Sequence, residues 1–204
     1  SALQVAALLR KRRHDANQIA GVLVAMGYTG TDDIGAADMI IVNTCSFIES
    51  AADESIDTIL ELATHKNEDR CRRLIVTGCL PERYRQEITK AIPEVDVFLG
   101  TGAFDRIVEA VRGHLDTAKC LLPDPDSLSP PGANVSRERS SRWMAYVKIA
   151  EGCSRQCTYC IIPKLRGRLK SRLPADIISE ARRLMAAQVK ELVLVAQDTT
   201  ADGK

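Results

Sequence analysis

The sequence predicts an α/β protein, a doubly wound and mainly parallel sheet followed by the first βαβ part of a (β/α) barrel. Three observations predict it. From about residue 16 to 115, apolar runs of strand length alternate with stretches whose apolar residues recur at helical spacing. Gly or Pro closes most of these stretches. A Pro- and Ser-rich segment, 116–142, then separates this pattern from a shorter strand, loop, helix and strand over 143–204.

Each element has its own warrant. Ala16 to Met26 is apolar at helical spacing and stops at Gly27, and Met39 to Val42 is a continuous apolar run, the mark of a buried strand. Ala51 to Ala63 reads as a helix through Ile56, Ile59 and Leu60. Leu74 to Val76 is a strand ended by Gly78, Arg83 to Ala91 a helix ended before Pro93, Val95 to Leu99 a strand ended by Gly100, and Phe104 to Val111 a helix. Such alternation implies a parallel sheet whose ligand crevice lies at the carboxyl ends of the strands. Cys45 and Cys79 each sit just past such an end. The second unit begins at Trp143: a strand from Met144 to Ile149, a cysteine loop from Glu151 to Cys160, a basic loop, a helix from Pro174 to Ala187 with Pro suited to its first turn, and a strand from Glu191 to Ala196. That is one βαβ module, far short of a full barrel.

Composition narrows the function classes. With 28 Lys and Arg against 27 Asp and Glu, no global field draws the chain to nucleic acid or an anionic membrane. The longest apolar runs fall far below the roughly 20 residues a membrane helix needs, so no membrane partner is expected. Seven cysteines, three of them within eight residues, disfavour a disulfide framework and read as reduced thiols of a cytoplasmic protein. The opening places Arg10 to Arg13 after an apolar stretch, the reverse of a secretory signal. With no initiator Met and no cap or tail after the last strand, the chain reads as cut at one or both ends.

The strongest chemical signal is Cys153-Ser-Arg-Gln-Cys157-Thr-Tyr-Cys160, a CxxxCxxC in a loop directly after a strand. Three thiolates can hold three irons of a 4Fe-4S cubane, whereas a closed zinc site or an electron-transfer cluster usually takes four protein ligands. The open iron can chelate S-adenosylmethionine, and the reduced cluster can pass an electron to its sulfonium to generate a 5′-deoxyadenosyl radical. The competing reading is a zinc loop completed by a distant Cys120 or a His.

At these residues the chain resembles the radical-SAM methylthiotransferases. Ala150 to Cys153 with Ile161-Ile162-Pro163-Lys164-Leu165-Arg166-Gly167 is similar to that family's cluster loop, and Asn43-Thr44-Cys45-Ser46-Phe47-Ile48 and Thr77-Gly78-Cys79 to the motifs of its amino-terminal domain. Phe47-Ile48-Glu49, Pro93-Glu94-Val95-Asp96 with Gly100-Thr101-Gly102, and Ala196-Gln197-Asp198-Thr199-Thr200 resemble the branch that modifies an aspartate of the twelfth small-subunit ribosomal protein. The resemblance implies an amino-terminal domain over 1–115, a linker over 116–142 and the start of a radical-SAM core over 143–204. It implies two 4Fe-4S clusters: one on Cys153, Cys157 and Cys160, and a second, for sulfur transfer, with Cys45 and Cys79 among three ligands. The third ligand has no counterpart, since residues 1–44 contain no Cys.

In the mechanism the resemblance implies, the radical removes hydrogen from the β-carbon of the aspartate. Sulfur held at the amino-terminal cluster bonds to that carbon, and a second S-adenosylmethionine methylates it. No side chain is a conventional acid or base. The implied partners are the ribosomal protein or ribosome and an electron donor such as flavodoxin or ferredoxin. Two alternatives stay open: a tRNA adenosine as substrate, and a truncated, non-catalytic iron-sulfur or zinc protein. Gln197 and Asp198 fall where such a barrel meets the methionine end of its cofactor, with loop capping as the plain alternative. Tyr159 can shield cluster or adenine, or simply pack. Six basic residues between Gly152 and Ala175, with no acidic one, suit a cofactor carboxylate or a solvated face. Cys71, Cys120 and the three His match no motif, and Gly100-Thr101-Gly102 reads as a turn.

Overall fold

A parallel sheet covered on both faces requires apolar residues at every strand position, and the run around 39–42 supplies them. The computed structural model describes residues 4–8, 13–115, 119–127, 141, 143–201 and 203. In chain order its elements are β1 (Gln4–Leu8), α1 (Arg13–Ala25), β2 (Thr29–Gly30), β3 (Met39–Thr44), α2 (Glu49–Ala63), α3 (His65–Glu68), β4 (Arg73–Gly78), α4 (Cys79–Tyr84), α5 (Glu87–Ala91), β5 (Val97–Leu99), α6 (Ile107–Val111) and β6 (Cys120–Leu121). There follow β7 (Met144–Lys148), β8 (Ala150–Glu151), α7 (Ile162–Arg166), β9 (Lys170–Ser171), α8 (Pro174–Ala186) and β10 (Glu191–Val195).

The first sheet has the order β2-β1-β3-β4-β5-β6, parallel throughout. Successive residues of β3 point to opposite faces. Ile40 and Val42 join Leu74, Val76 and Phe98 beneath α2 and α5, while Met39 and Ile41 join Ile75, Val97 and Leu99 beneath α1 and α6. The strand order reverses between β1 and β3, so the crevice expected of such a sheet opens at their carboxyl ends. Cys45 follows β3 there, with Cys79 after the neighbouring β4.

The structure adds to the sequence reading and corrects parts of it. The alternating pattern in the sequence starts at residue 16, yet β1 lies within the sheet, paired with β3 from Val5 opposite Met39 to Leu8 opposite Val42. Asp38 helps fix it, accepting a hydrogen bond from the Gln4 N–H at 2.9 Å. The helix expected over Arg83 to Ala91 is two, α4 and α5, parted at Arg85, whose φ is 52°. The helix expected from Phe104 starts as a 3-10 turn, Thr101–Arg106, before α6. Linker composition over 116–142 does not keep the chain off the sheet. Backbone pairing makes Cys120–Leu121 the edge strand β6, and a 3-10 turn follows at Pro125–Ser127. Residues 116–118, 128–140 and 142 of that stretch lie outside the described residues.

In the second unit β7 and β10 pair in parallel, with α8 crossing between them. Arg172 pins the crossover, donating to the Lys148 carbonyl at 2.7 Å and to Glu180 of α8 at 2.6 Å. A feature with no apolar signal is the antiparallel pairing of β8 with β9, Ala150 opposite Ser171 and Glu151 opposite Lys170. It closes the base of the cysteine loop.

The two units meet through buried charge. Lys148 Nζ reaches Asp15 of α1 at 2.6 Å and Glu151 at 2.5 Å. Arg166 Nη1 reaches the same two carboxylates at 3.1 and 3.2 Å. Its guanidinium lies 5.8 Å from the centre of the Phe104 ring. Thr101 Oγ1 donates to the Leu165 carbonyl at 2.5 Å, and Arg168 N–H to Asp126 at 2.6 Å. Two cations against two carboxylates leave the group neutral. Breaking such a pair from one side costs about 3–5 kcal/mol.

Two tests follow from this packing. Burial pushes the Glu151 carboxyl up, but Arg166 and Lys148 outweigh it and bring it from 4.5 down to about 2. Its contribution to stability is therefore complete above pH 4.5 and lost as pH falls toward about 2. The urea midpoint should fall through that window, and Glu151→Gln should flatten the fall; equal slopes would show that Glu151 is not held this way. At Gly78, φ is +104°, and an added Cβ would lie 2.5 Å from the Thr44 carbonyl oxygen. Gly78→Ala should cost more than about 1 kcal/mol in chemical unfolding.

Candidate metal centre

Cys153, Cys157 and Cys160 lie on irregular backbone between β8 and α7. Cys157 is exposed, the other two are half-buried, and all seven cysteines are free thiols. The loop is braced at both ends. Cys153 N–H donates to the Gly167 carbonyl at 3.1 Å, Leu169 N–H to Ser154 Oγ at 3.0 Å, and Cys160 N–H to the Cys157 carbonyl at 3.0 Å. Gly152 makes the close approach possible. With φ +76°, an added Cβ would stand 2.1 Å from the Arg168 carbonyl oxygen.

Glu151, two residues ahead of Cys153, is where these contacts converge. Besides Lys148 and Arg166, it accepts from its neighbour Gly152 N–H at 3.2 Å and from Gln197 Nε2 at 2.8 Å. The far end of β10 is thereby tied to the start of the cysteine loop. The Gln197 amide oxygen is buried without a partner. Asp198 also turns to the loop, pairing with Arg155 Nε at 2.5 Å and with Thr200 at 2.7 Å; those bonds bring its carboxyl down to about 2. In this structure Gln197 and Asp198 therefore brace the loop. Tyr159 is 90% exposed and packs on nothing that would bury it.

Among the described residues no three His, Cys, Asp or Glu side chains stand in a metal-holding arrangement. The donor set nevertheless fits an iron-sulfur group: three soft thiols on one short loop, its base and flanks fixed and its middle free of regular structure. Ligation of such a loop draws its sulfurs together on binding. The zinc reading needs a fourth ligand, and the thiol suggested for it is engaged elsewhere. Cys120 sits on β6 with its sulfur directed at the Arg85 carbonyl, 3.8 Å away, and burial pushes it up to about 11. Cys71 is buried, its sulfur 3.3 Å from the Arg73 carbonyl.

At the first sheet, Thr44 Oγ1 donates to the Thr77 carbonyl at 2.7 Å and accepts from Leu80 N–H at 3.2 Å, binding the ends of β3 and β4 together. Ser55 of α2 donates to the Cys45 carbonyl at 2.9 Å, and Arg83 to that of Ser46 at 2.8 Å. Cys45 and Cys79 are thus held at adjacent strand ends, Cys79 fully buried. Around them Asn43 Nδ2 and Oδ1, Ser46 Oγ and Thr77 Oγ1 are buried without hydrogen-bond partners. Among the described residues two thiols stand here, one short of a three-thiolate set. Of the basic residues, Arg166 and Arg172 are buried in ion pairs and Arg155 is paired with Asp198. Sequence reasoning grouped these as a charge field and missed Arg166 as a buried link.

Comparison with known proteins agrees with this layout. Residues 10–100 match the family described as uncharacterized protein family UPF0004. The chain is 55% identical over 95% of its length to the ribosomal protein uS12 methylthiotransferase RimO of Desulfosudis oleivorans, covering 44% of that protein. It is 50% identical over 93% of its length to the RimO of Citrifermentans bemidjiense, covering 43% of it. The chain thus spans less than half the length of the curated relatives it matches. Its fold is like that of the radical S-adenosylmethionine methyltransferase TsrM from Kitasatospora setae, solved with cobalamin and a [4Fe-4S] cluster bound. There the TM-score is 0.61 at 10% identity, over 97% of this chain and 48% of that one. Along nearly all of its length, the chain is thus similar to proteins named ribosomal protein uS12 methylthiotransferase RimO.

Proposed function

We propose that this chain carries the sulfur-transfer unit and the cluster-binding segment of an iron-sulfur enzyme. That enzyme adds a methylthio group to the β-carbon of an aspartate of the twelfth small-subunit ribosomal protein. The observation that carries the reading is the CxxxCxxC loop at the carboxyl end of β7, closed at its base by β8 and β9. It is supported by relatives named for that activity at 46–55% identity. In this reading residues 1–115 form the amino-terminal domain and 143–204 the start of the core. The protein works in the cytoplasm on the ribosomal protein or ribosome and draws electrons from a flavodoxin- or ferredoxin-class donor.

Cys153, Cys157 and Cys160 would hold the cluster. When bound, that group supplies a coordination site for S-adenosylmethionine and one electron for its sulfonium. Glu151 and Arg155 fix the loop from its two sides. Gln197, whose buried amide oxygen lacks a partner at the end of β10, would bind the methionine end of the cofactor, and Asp198 holds Arg155 against the loop. Tyr159 is free to close over a bound cofactor. Cys45 and Cys79 offer two thiols for the sulfur-transfer group.

Two experiments test the reading. Anaerobically reconstituted chain should bind roughly four irons and cleave S-adenosylmethionine reductively to 5′-deoxyadenosine. Cys153→Ala, Cys157→Ala or Cys160→Ala should abolish both, and product from Cys157→Ala at the parent level would overturn the ligand set. For the substrate, mass spectrometry of the ribosomal protein and of digested tRNA from cells with and without the gene should show the methylthio mark lost from the aspartate alone. Loss from tRNA alone would move the protein to the adenosine-modifying branch.

A further inference from the structure

Arg166 has more donors than the docking contact uses. Its Nη1 serves Asp15 and Glu151, but Nε and Nη2 are buried with no hydrogen-bond partner, and the residue is only 1% exposed. Leaving a buried donor unsatisfied is costly, so a guanidinium keeping two unused N–H groups calls for an acceptor. The acceptor at hand is sulfur. α7, which carries Arg166, packs against α4, whose first residue is the fully buried Cys79, and the Cys79 sulfur is a neighbour of the guanidinium. Burial works against the charge of Arg166, yet Glu151, Cys79 and Asp15 together hold it as a cation.

We propose that Arg166 is a positioning residue that joins the sulfur of Cys79 to the three-cysteine loop. Its two unused N–H groups face the sulfur of Cys79, while Nη1 holds Glu151, two residues before Cys153. One planar guanidinium thus lies between both cysteine sites, so that a change at the Cys79 side chain reaches Glu151 through a single residue. A lysine at this position would keep a positive charge for Asp15 and Glu151. Being a compact point charge, it would lose the fork that serves carboxylate and sulfur together.

The inference rests on the proposed function only in taking the cysteine loop as the cluster site, and its test has two arms. In the first, the reconstituted full chain, Cys79→Ala, Arg166→Lys and the double variant are compared by the electron paramagnetic resonance spectrum and midpoint potential of the reduced cluster. Cys79→Ala should shift both when Arg166 is present, and that shift should vanish in the Arg166→Lys background. An identical shift in both backgrounds would overturn the proposal. In the second arm the same four proteins are unfolded in denaturant without iron. The Cys79→Ala effect on the midpoint should again depend on residue 166, and strict additivity would overturn the proposal. If Cys153→Ala showed that the loop never held iron, the proposed function would fall, and the iron-free arm would still decide on Arg166 and Cys79.

Discussion

The position of the cysteine loop depends on two carboxylates, one buried and one half-buried, that share the same two cations. Asp15 comes from the first helix of the first unit and Glu151 from the strand that opens the cysteine loop. Each is shared between Lys148 and Arg166. Neither carboxylate is tolerable there without both cations, and neither cation without the carboxylates. The four side chains therefore act as one unit, and the two sheets are docked by a requirement for charge balance rather than by apolar area alone. Glu151 also takes hydrogen bonds from Gly152 and Gln197, so the constraint extends to the loop and to the end of β10.

This arrangement explains how two cysteine sites from different sheets come to share one neighbourhood. Parallel strands gather their following loops at one end of the sheet, and the ties from Thr44 to Thr77 and Leu80 hold Cys45 and Cys79 there. The base of the other loop is pinched by β8 and β9, and its descending arm, α7, lies against α4. A loop braced at its ends and irregular between them keeps its sulfurs adjustable while fixing where they are presented. The glycines serve the same purpose: at Gly78 and Gly152 the backbone passes so near another carbonyl that no side chain fits.

Much of the fold was legible in the sequence because burial on both faces leaves an unambiguous trace. Runs such as Met39 to Val42 mark the central strands, and helical spacing marks the helices between them. What escaped notice lacked that trace. β1 is short and alanine-containing, and is recognisable only once β3 is beside it. β6 lies in a Pro-rich stretch, and β8 and β9 are two-residue pairings held by backbone hydrogen bonds, to which sequence patterns are blind. At the site, cysteine spacing marked the loop as the leading candidate, because few chemistries need three thiols so close. The roles of Arg166 and Glu151 were not legible. A buried ion pair is a relation between residues far apart in the chain, and by composition Arg166 was one basic residue among six.

The central claim is that the braced three-cysteine loop holds an iron-sulfur group with one iron left open for S-adenosylmethionine. Mössbauer spectroscopy of the reconstituted chain, recorded before and after adding S-adenosylmethionine, measures this most directly. The account predicts that the signal of a single iron site separates from the rest when the cofactor is added. A spectrum unchanged by the cofactor, with all irons equivalently sulfur-coordinated, would contradict it.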